Sequence, residues 1–136
     1  SHSGTFNANP MTMVAGEAAM RLLTQAEIDR IGKLGKKARN GITSAMQEIG
    51  LHGQVTGLGS LFRIHVHNRP LSDYRSMMTT DLEKALLSAI VINMRNDGIF
   101  VNERGVCSLS TPMGDTEIET FIACFKSAAK LALAKR

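Results

Sequence analysis

Residues 3–10 of the chain are Ser3-Gly4-Thr5-Phe6-Asn7-Ala8-Asn9-Pro10, a polar turn that runs directly into a helix. Asn9 is a preferred N-cap residue and Pro10 suits the first helical position, so a helix is predicted to begin there. Gly4 lets the backbone approach a ligand closely, and Thr5 adds a hydroxyl to the amide donors, which together suit a phosphate. On these residues alone, a capped turn that binds nothing is the simpler interpretation.

The chain has 136 residues, of which 43% are hydrophobic, and this is enough for one domain with its own core. Its net charge is +4, but the 16 basic residues are spread among 12 acidic ones. A basic α+β module that contacts nucleic acid or an acidic partner is the second hypothesis for its function, although Trp is absent and stacking surfaces are scarce. The densest basic cluster comprises Lys33, Lys36, Lys37 and Arg39.

Cys107 and Cys124 lack CxxC spacing, so we expect reduced thiols and a cytoplasmic protein. No apolar run is long enough to span a membrane, so we expect no membrane partner. The chain begins with Ser rather than Met, and its most informative stretch lies at that end. We therefore expect a longer protein whose N-terminal part is missing here.

Apolar residues recur at steps of three and four in three further segments, each typical of an amphipathic helix. The first begins at a capping box at residues 24–27, the second at a similar box at residues 80–83, and the third at Asp115 or Thr116. The helix that begins at Pro10 is expected to have a broad buried surface and an exposed pair between Glu17 and Arg21. Three glycines in the segment after residue 24 predict either an interrupted helix or close contacts: Gly32, Gly35 and Gly41.

Four short strands are predicted between these helices, at residues 54–56, 61–66, 99–101 and 106–110. Residues 68–78 contain Pro70 and are expected to form a loop. The order helix, helix, strand, strand, helix, strand, strand, helix predicts an α+β domain. In such a domain, helices pack on one face of a small, mostly antiparallel sheet.

Alternation along residues 61–66 predicts one buried and one solvent-facing set of side chains. Phe62 and Ile64 belong to the buried set, and Arg63, His65 and His67 to the exposed set. The two histidines share one face, as two metal ligands would. No Cys, Asp or Glu follows with ligand spacing, so we predict no metal site.

Several of these segments together resemble the class III aminotransferases, fold-type I enzymes that use pyridoxal 5'-phosphate (PLP). Residues 3–16 are similar to the family's segment in which Gly-Thr and an aromatic residue precede Asn-Pro and a run of small residues. Residues 34–41, 55–62 and 109–113 resemble family segments that follow in the same order. Within the class, the chain looks most like the glutamate-1-semialdehyde aminomutase branch and its β-amino-acid aminotransferase relatives.

The resemblance implies that residues 1–23 are the end of the large, cofactor-binding domain and that residues 24–136 are the C-terminal small domain. Gly4 and Thr5 match the loop that, in the family's homodimers, crosses the subunit interface and binds the cofactor phosphate. Ser3 is a departure, because many relatives have Gly there. The Schiff-base lysine lies upstream in this family, so the chain is expected to be inactive without the remainder of the enzyme.

Arg104 is the candidate for substrate binding. It lies in a turn before a predicted strand, and a guanidinium group can hold a carboxylate through two parallel hydrogen bonds. Residues 104–110 resemble the part of β-amino-acid aminotransferases in which an arginine binds a substrate carboxylate. A surface arginine paired with Glu103 or with solvent is the competing interpretation, and Arg63 is a weaker second candidate. The implied reaction is amino transfer, or the intramolecular amino shift of an isomerase, on a small amino acid or amino aldehyde.

Overall fold

The computed structural model describes residue 4 and residues 7–134 of the chain. The described part forms one three-stranded antiparallel sheet in the order β1-β2-β3, accompanied by helices. The predicted α+β architecture is confirmed. In chain order the elements are α1 (Pro10–Leu22), α2 (Gln25–Glu48), β1 (Gln54–Leu58), β2 (Leu61–His65), α3 (Asp81–Asn96), β3 (Val106–Ser108) and α4 (Asp115–Ala134).

The core is built from residues of α2, α3, α4 and the sheet. α4 packs against both α2 and α3, and α2 packs against β1 and β2. Phe62 of β2 meets Phe121 of α4 edge to face, with ring centroids 6.0 Å apart. The predicted buried face of β2 therefore faces these helices. The largest fully buried side chains all come from the three helices: Ile42, Met46, Ile90, Met94, Ile118 and Phe125.

Capping boxes begin both α2 and α3, but only the one at α3 is complete. There, Thr80 Oγ1 accepts from the Glu83 amide at 3.3 Å, and the Glu83 carboxylate accepts from the Thr80 amide at 2.9 Å. At α2, Thr24 accepts from the Glu27 amide at 3.3 Å, whereas the Glu27 carboxylate pairs with Arg30. The start of α2 therefore has one of the two reciprocal bonds.

The predicted cap of the last helix is wrong. α4 begins at Asp115, so Asp115 and Thr116 are both helical residues. Gly114 precedes the helix, and its amide donates to the Glu117 carboxylate at 2.7 Å. The Glu117 carboxylate in the first turn therefore accepts from the Gly114 amide, which precedes the helix.

Close contacts explain two of the three glycines inside α2, which is one continuous helix. A Cβ on Gly35 would lie 2.1 Å from the carbonyl oxygen of Gly59, and a Cβ on Gly41 would lie 2.2 Å from Cδ1 of Ile122. At Gly32 the nearest atom is the Gly59 Cα, at 4.0 Å. Gly35 and Gly41 thus mark places where another element approaches the helix.

The strand predicted at residues 99–101 is not formed, so the described sheet has three strands rather than four. Gly98, with φ +84°, ends α3. Its amide donates to the Arg95 carbonyl at 3.0 Å, and the Ile99 amide donates to the Met94 carbonyl at 2.9 Å. These two bonds form a Schellman motif, so the chain at this point completes the helix end instead of pairing with a strand.

The prediction that His65 and His67 face solvent is also wrong, since the two residues are 3% and 4% exposed. His65 Nε2 lies 2.9 Å from Thr56 Oγ1 on the neighbouring strand, and the two imidazole rings meet edge to face with centroids 5.7 Å apart. Burial, with smaller effects from the charges of Arg63 and His67, lowers the pKa of His65 to about 4, so this ring is neutral at pH 7. The alternation of side chains along β2 correctly predicted that His65 and His67 share one face. It did not predict that this face is buried.

α1 differs from the other helices because none of its residues is buried. The predicted pair is confirmed, with Arg21 Nη2 and Glu17 Oε1 2.6 Å apart. The broad buried surface expected for this helix is not formed within the described residues. Met11, Met20 and Leu22 are 79%, 68% and 77% exposed. Within the described residues, no helix is long and apolar enough to cross a membrane.

Candidate cofactor and substrate sites

Gly4 is exposed at the start of a turn, and its carbonyl accepts from the Asn7 amide at 3.1 Å. Asn9 Oδ1 accepts from the Met11 amide at 3.0 Å, so Asn9 is the N-cap of α1, as predicted. The first turn of α1 contains no acidic residue. An exposed glycine beside a helix N-terminus without carboxylates suits an anion. Thr5, the second predicted phosphate contact, lies outside the described residues.

The turn that carries Arg104 is held by its own residues. Asn102 Oδ1 accepts from the Arg104 amide at 2.9 Å, and the Asn102 carbonyl accepts from the Gly105 amide at 2.8 Å. Gly105 has φ +74°, and a Cβ there would lie 2.5 Å from the Ile64 carbonyl oxygen. The backbone of Arg104 is therefore fixed close to β2, although Arg104 itself is an exposed residue.

Arg104 is exposed, and its guanidinium does not pair with Glu103; of the competing interpretation, contact with solvent therefore still applies. Across residues 7–134, no ion pair or side-chain hydrogen bond occupies this group. A planar donor fork with no partner inside the fold is available to a carboxylate from outside. Substrate binding by Arg104 therefore stays a prediction.

Arg104 lines a cleft of about 680 Å³ bounded by β2, the 102–105 turn, α3 and the segment before α3. Its cationic lining residues are Arg63, Lys84, Arg95 and Arg104, against two acidic ones, Asp81 and Glu103. Its apolar wall includes Tyr74, Met77, Met78, Leu87, Val91 and Ile92. An excess of positive charge beside an apolar wall suits a small ligand that has a carboxylate and an apolar portion.

Arg63 and Arg104 were both named from the sequence, and the structure brings them to the same cleft. Sequence reasoning missed Lys84 and Arg95, because it considered α3 only for its core stripe. A second stripe was present in the pattern: positions 84, 88, 92 and 95 follow helical spacing along α3, and all four line the cleft. Arg95 also stacks on Phe100, with its guanidinium carbon 5.4 Å from the ring centroid.

Residues 66–80 join β2 to α3, and Arg69 fixes this irregular segment to the helix. The Arg69 guanidinium donates to both oxygens of Glu83, with 2.9 Å between Nη2 and Oε2. It also donates to the Met78 carbonyl at 3.1 Å, while the Gln54 side chain donates to the Arg69 carbonyl at 2.6 Å. The Met78 wall of the cleft is therefore tied to both β1 and α3.

The Arg69–Glu83 pair should stabilise the fold less as the pH falls. The hydrogen bonds from Arg69, aided by the Thr80 amide, lower the pKa of Glu83 from 4.5 to about 2. A depressed carboxyl pKa contributes stability that is present above the ordinary pKa and is lost as the pH falls through the folded-state pKa. Glu83→Gln should therefore lower the free energy of unfolding by about 1–2 kcal/mol at neutral pH and progressively less below about pH 4.5. Urea unfolding of both proteins across this range measures the difference, and a pH-independent difference would contradict the assignment.

The basic cluster on α2 is partly engaged within the fold. Lys37 Nζ lies 2.6 Å from Asp115 Oδ1 and 2.7 Å from Glu119 Oε1. Arg39 Nη1 donates to the Gly59 carbonyl at 2.7 Å. Two of the four cations that could have contacted nucleic acid or an acidic partner thus hold α4 and the β1–β2 turn, so the binding-module hypothesis is not favoured.

No family model matches this chain. β-Phenylalanine transaminase of Variovorax paradoxus is 30% identical over 127 residues, which are 93% of this chain and 29% of that protein. Glutamate-1-semialdehyde 2,1-aminomutase 2 of Geobacillus kaustophilus (strain HTA426) is 30% identical over 123 residues, which are 89% of this chain and 28% of that protein. The chain therefore spans less than 30% of the length of these two relatives.

Two solved structures are similar over nearly the whole of this chain. An omega-transaminase from Sphaerobacter thermophilus superimposes with a TM-score of 0.93 at 48% identity, covering 97% of this chain and 30% of that one. A transaminase solved with PLP bound superimposes with a TM-score of 0.86 at 37% identity, covering 99% of this chain and 30% of that one. This chain is thus similar to class III, fold-type I aminotransferases, among them a β-phenylalanine transaminase and a glutamate-1-semialdehyde aminomutase, and it matches about 30% of their length.

Proposed function

We propose that this chain forms the C-terminal part of a PLP-dependent aminotransferase or aminomutase that acts on a small amino acid or amino aldehyde. The observation that carries the proposal is the unpaired guanidinium of Arg104 in a cleft with cationic and apolar walls. Within this family, a substrate carboxylate is the expected partner for such a group. Arg104 binds and orients the substrate, and the apolar wall excludes water from it.

Gly4 and Thr5 would hold the phosphate of PLP. The bound cofactor would withdraw electrons from the substrate and carry its amino group. Two features of the described residues fit this role. Gly4 is exposed, and the first turn of α1 presents no carboxylate that would repel a dianion. We infer that the contact is made across the interface of a homodimer, into the active site of the second subunit.

We assign residues 1–23 to the large domain and residues 24–136 to the small domain. The exposure of α1 supports this division, because a helix with Met11, Met20 and Leu22 on its surface requires a covering partner. The large domain of the same enzyme and the second subunit are the proposed partners, with no role for nucleic acid. We also assign the enzyme to the cytoplasm, since Cys107 and Cys124 are both free thiols.

Thr5→Ala should weaken the binding of PLP to the full-length enzyme about tenfold, because it removes one hydrogen bond to a charged group. Titration of the cofactor-free protein with PLP measures the dissociation constant. Pyridoxal, which lacks the phosphate, should bind wild type and variant equally. Thr12→Ala is the matched control, since it removes an exposed Thr hydroxyl from the first turn of α1. Equal PLP affinity of wild type and Thr5→Ala would reject the phosphate role.

A further inference from the structure

We propose that Arg63 is a positioning residue for Arg104: its Nε–H group holds the Arg104 carbonyl and thereby aims the Arg104 guanidinium into the cleft. The proposal rests on the proposed function, in which Arg104 binds the substrate carboxylate. It gives Arg63 a role that does not depend on its charge.

The contact is made by β2, the central strand of the sheet. Arg63 is half-buried, and its Nε donates to the Arg104 carbonyl at 3.0 Å. The next residue, Ile64, donates its amide to the Gly105 carbonyl at 2.9 Å. Strand pairing continues from there, with Arg63 opposite Val106. Two consecutive residues of β2 therefore hold two consecutive carbonyls of the turn.

Four backbone groups fix Arg104 and Gly105, and Arg63 supplies the anchor for one of them. Asn102 holds the two amides, while β2 holds the two carbonyls. The Arg63 bond is made by a side chain to the residue that carries the substrate-binding group. Its loss frees the Arg104 carbonyl while leaving the other three anchors in place. A small misplacement of a substrate-orienting group is enough to weaken catalysis.

Arg63 also lines the cleft, so a direct contact with the substrate is the alternative to be tested. The two roles need different parts of the side chain. Positioning needs an N–H donor at the place of Nε, whereas binding a carboxylate needs the guanidinium charge. Gln has its amide nitrogen one bond beyond Cδ, as Arg has its Nε, but is uncharged. Met has a similar length and no donor.

The experiment compares Arg63→Gln with Arg63→Met in the full-length enzyme loaded with PLP. Arg63→Met should raise KM for a carboxylate-bearing amino donor about 3- to 10-fold with a smaller change in kcat, and Arg63→Gln should restore most of the loss. In an Arg104→Ala background, Arg63→Met should cause no further rise in KM, because the two residues act as one unit. Hydrogen exchange of residues 102–106 should be faster in Arg63→Met than in Arg63→Gln, a readout independent of activity.

Equal losses in both variants that persist in the Arg104→Ala background would overturn the proposal in favour of a charge contact with the substrate. An unchanged KM in Arg63→Met would overturn it as well. If Arg104→Ala itself leaves KM unchanged, the substrate role of Arg104 fails. Hydrogen exchange then decides the contact separately: faster exchange in Arg63→Met supports the anchoring of the turn, and unchanged exchange rejects it.

Discussion

Gly35→Ala should destabilise the fold by about 3 kcal/mol or more, because the new methyl group meets backbone atoms rather than a flexible side chain. The added Cβ would lie 2.1 Å from the carbonyl oxygen of Gly59, 3.0 Å from its carbonyl carbon and 3.1 Å from the Cα of Ser60. This turn is also bound to α2 by Arg39, which donates to the same Gly59 carbonyl. The helix and the hairpin cannot separate without losing that bond.

Gly32→Ala is the matched control in the same helix. Its Cβ would lie 4.0 Å from its nearest neighbour, the Gly59 Cα, which is an ordinary contact distance. The substitution should therefore leave stability unchanged or raise it by about 0.5–1 kcal/mol through the better helix propensity of Ala. Urea unfolding of the two variants tests the sign, and similar effects in both would contradict the close approach of the hairpin to Gly35.

Arg104→Ala should lower kcat/KM for a carboxylate-bearing amino donor about 100-fold, mainly through KM, because a two-bond contact between charged groups is lost. Arg104→Lys keeps the charge but not the fork, so it should recover only part of the loss. An amine substrate that lacks a carboxylate should react equally well with wild type and Arg104→Ala. Steady-state kinetics with both substrates measures the effect.

Glu103→Gln is the control from the same turn. Glu103 lines the cleft but does not pair with Arg104, so its substitution should leave the dependence on the substrate carboxylate in place. Equal kcat/KM values for wild type and Arg104→Ala on the carboxylate substrate would reject substrate binding by Arg104 and leave it an ordinary surface residue.

Much of the fold could be predicted from the sequence because its signals are local. The spacing of Thr80 and Glu83 predicts the start of α3. The periodicity of apolar residues in α2 and α4 predicts which face of each helix is buried. The failures have two different causes. Residues 99–101 do not pair because the chain there completes the end of α3 at Gly98, whereas the burial of His65 depends on tertiary packing, which alternation along the strand does not give.

The candidate site was predicted less completely. Gly4, Thr5 and Arg104 were identified through resemblance to a family, since a lone Gly-Thr pair or turn arginine carries little information. Lys84 and Arg95 were missed because their proximity to Arg104 arises only when α3 packs beside the 102–105 turn. The same holds for the bond from Arg63 to the Arg104 carbonyl, which joins residues far apart in sequence.

The proposed function requires that the full-length enzyme, of which this chain is a part, uses PLP to move an amino group from one carbon to another. The most direct measurement follows a ¹⁵N-labelled amino group in the full-length enzyme, with and without PLP, using α-amino acids, β-amino acids and an amino aldehyde as donors. We predict that the label leaves its original carbon only when PLP is present, either to a keto-acid acceptor or to another carbon of the same molecule. Label that stays in place with every donor in the presence of PLP would contradict the account.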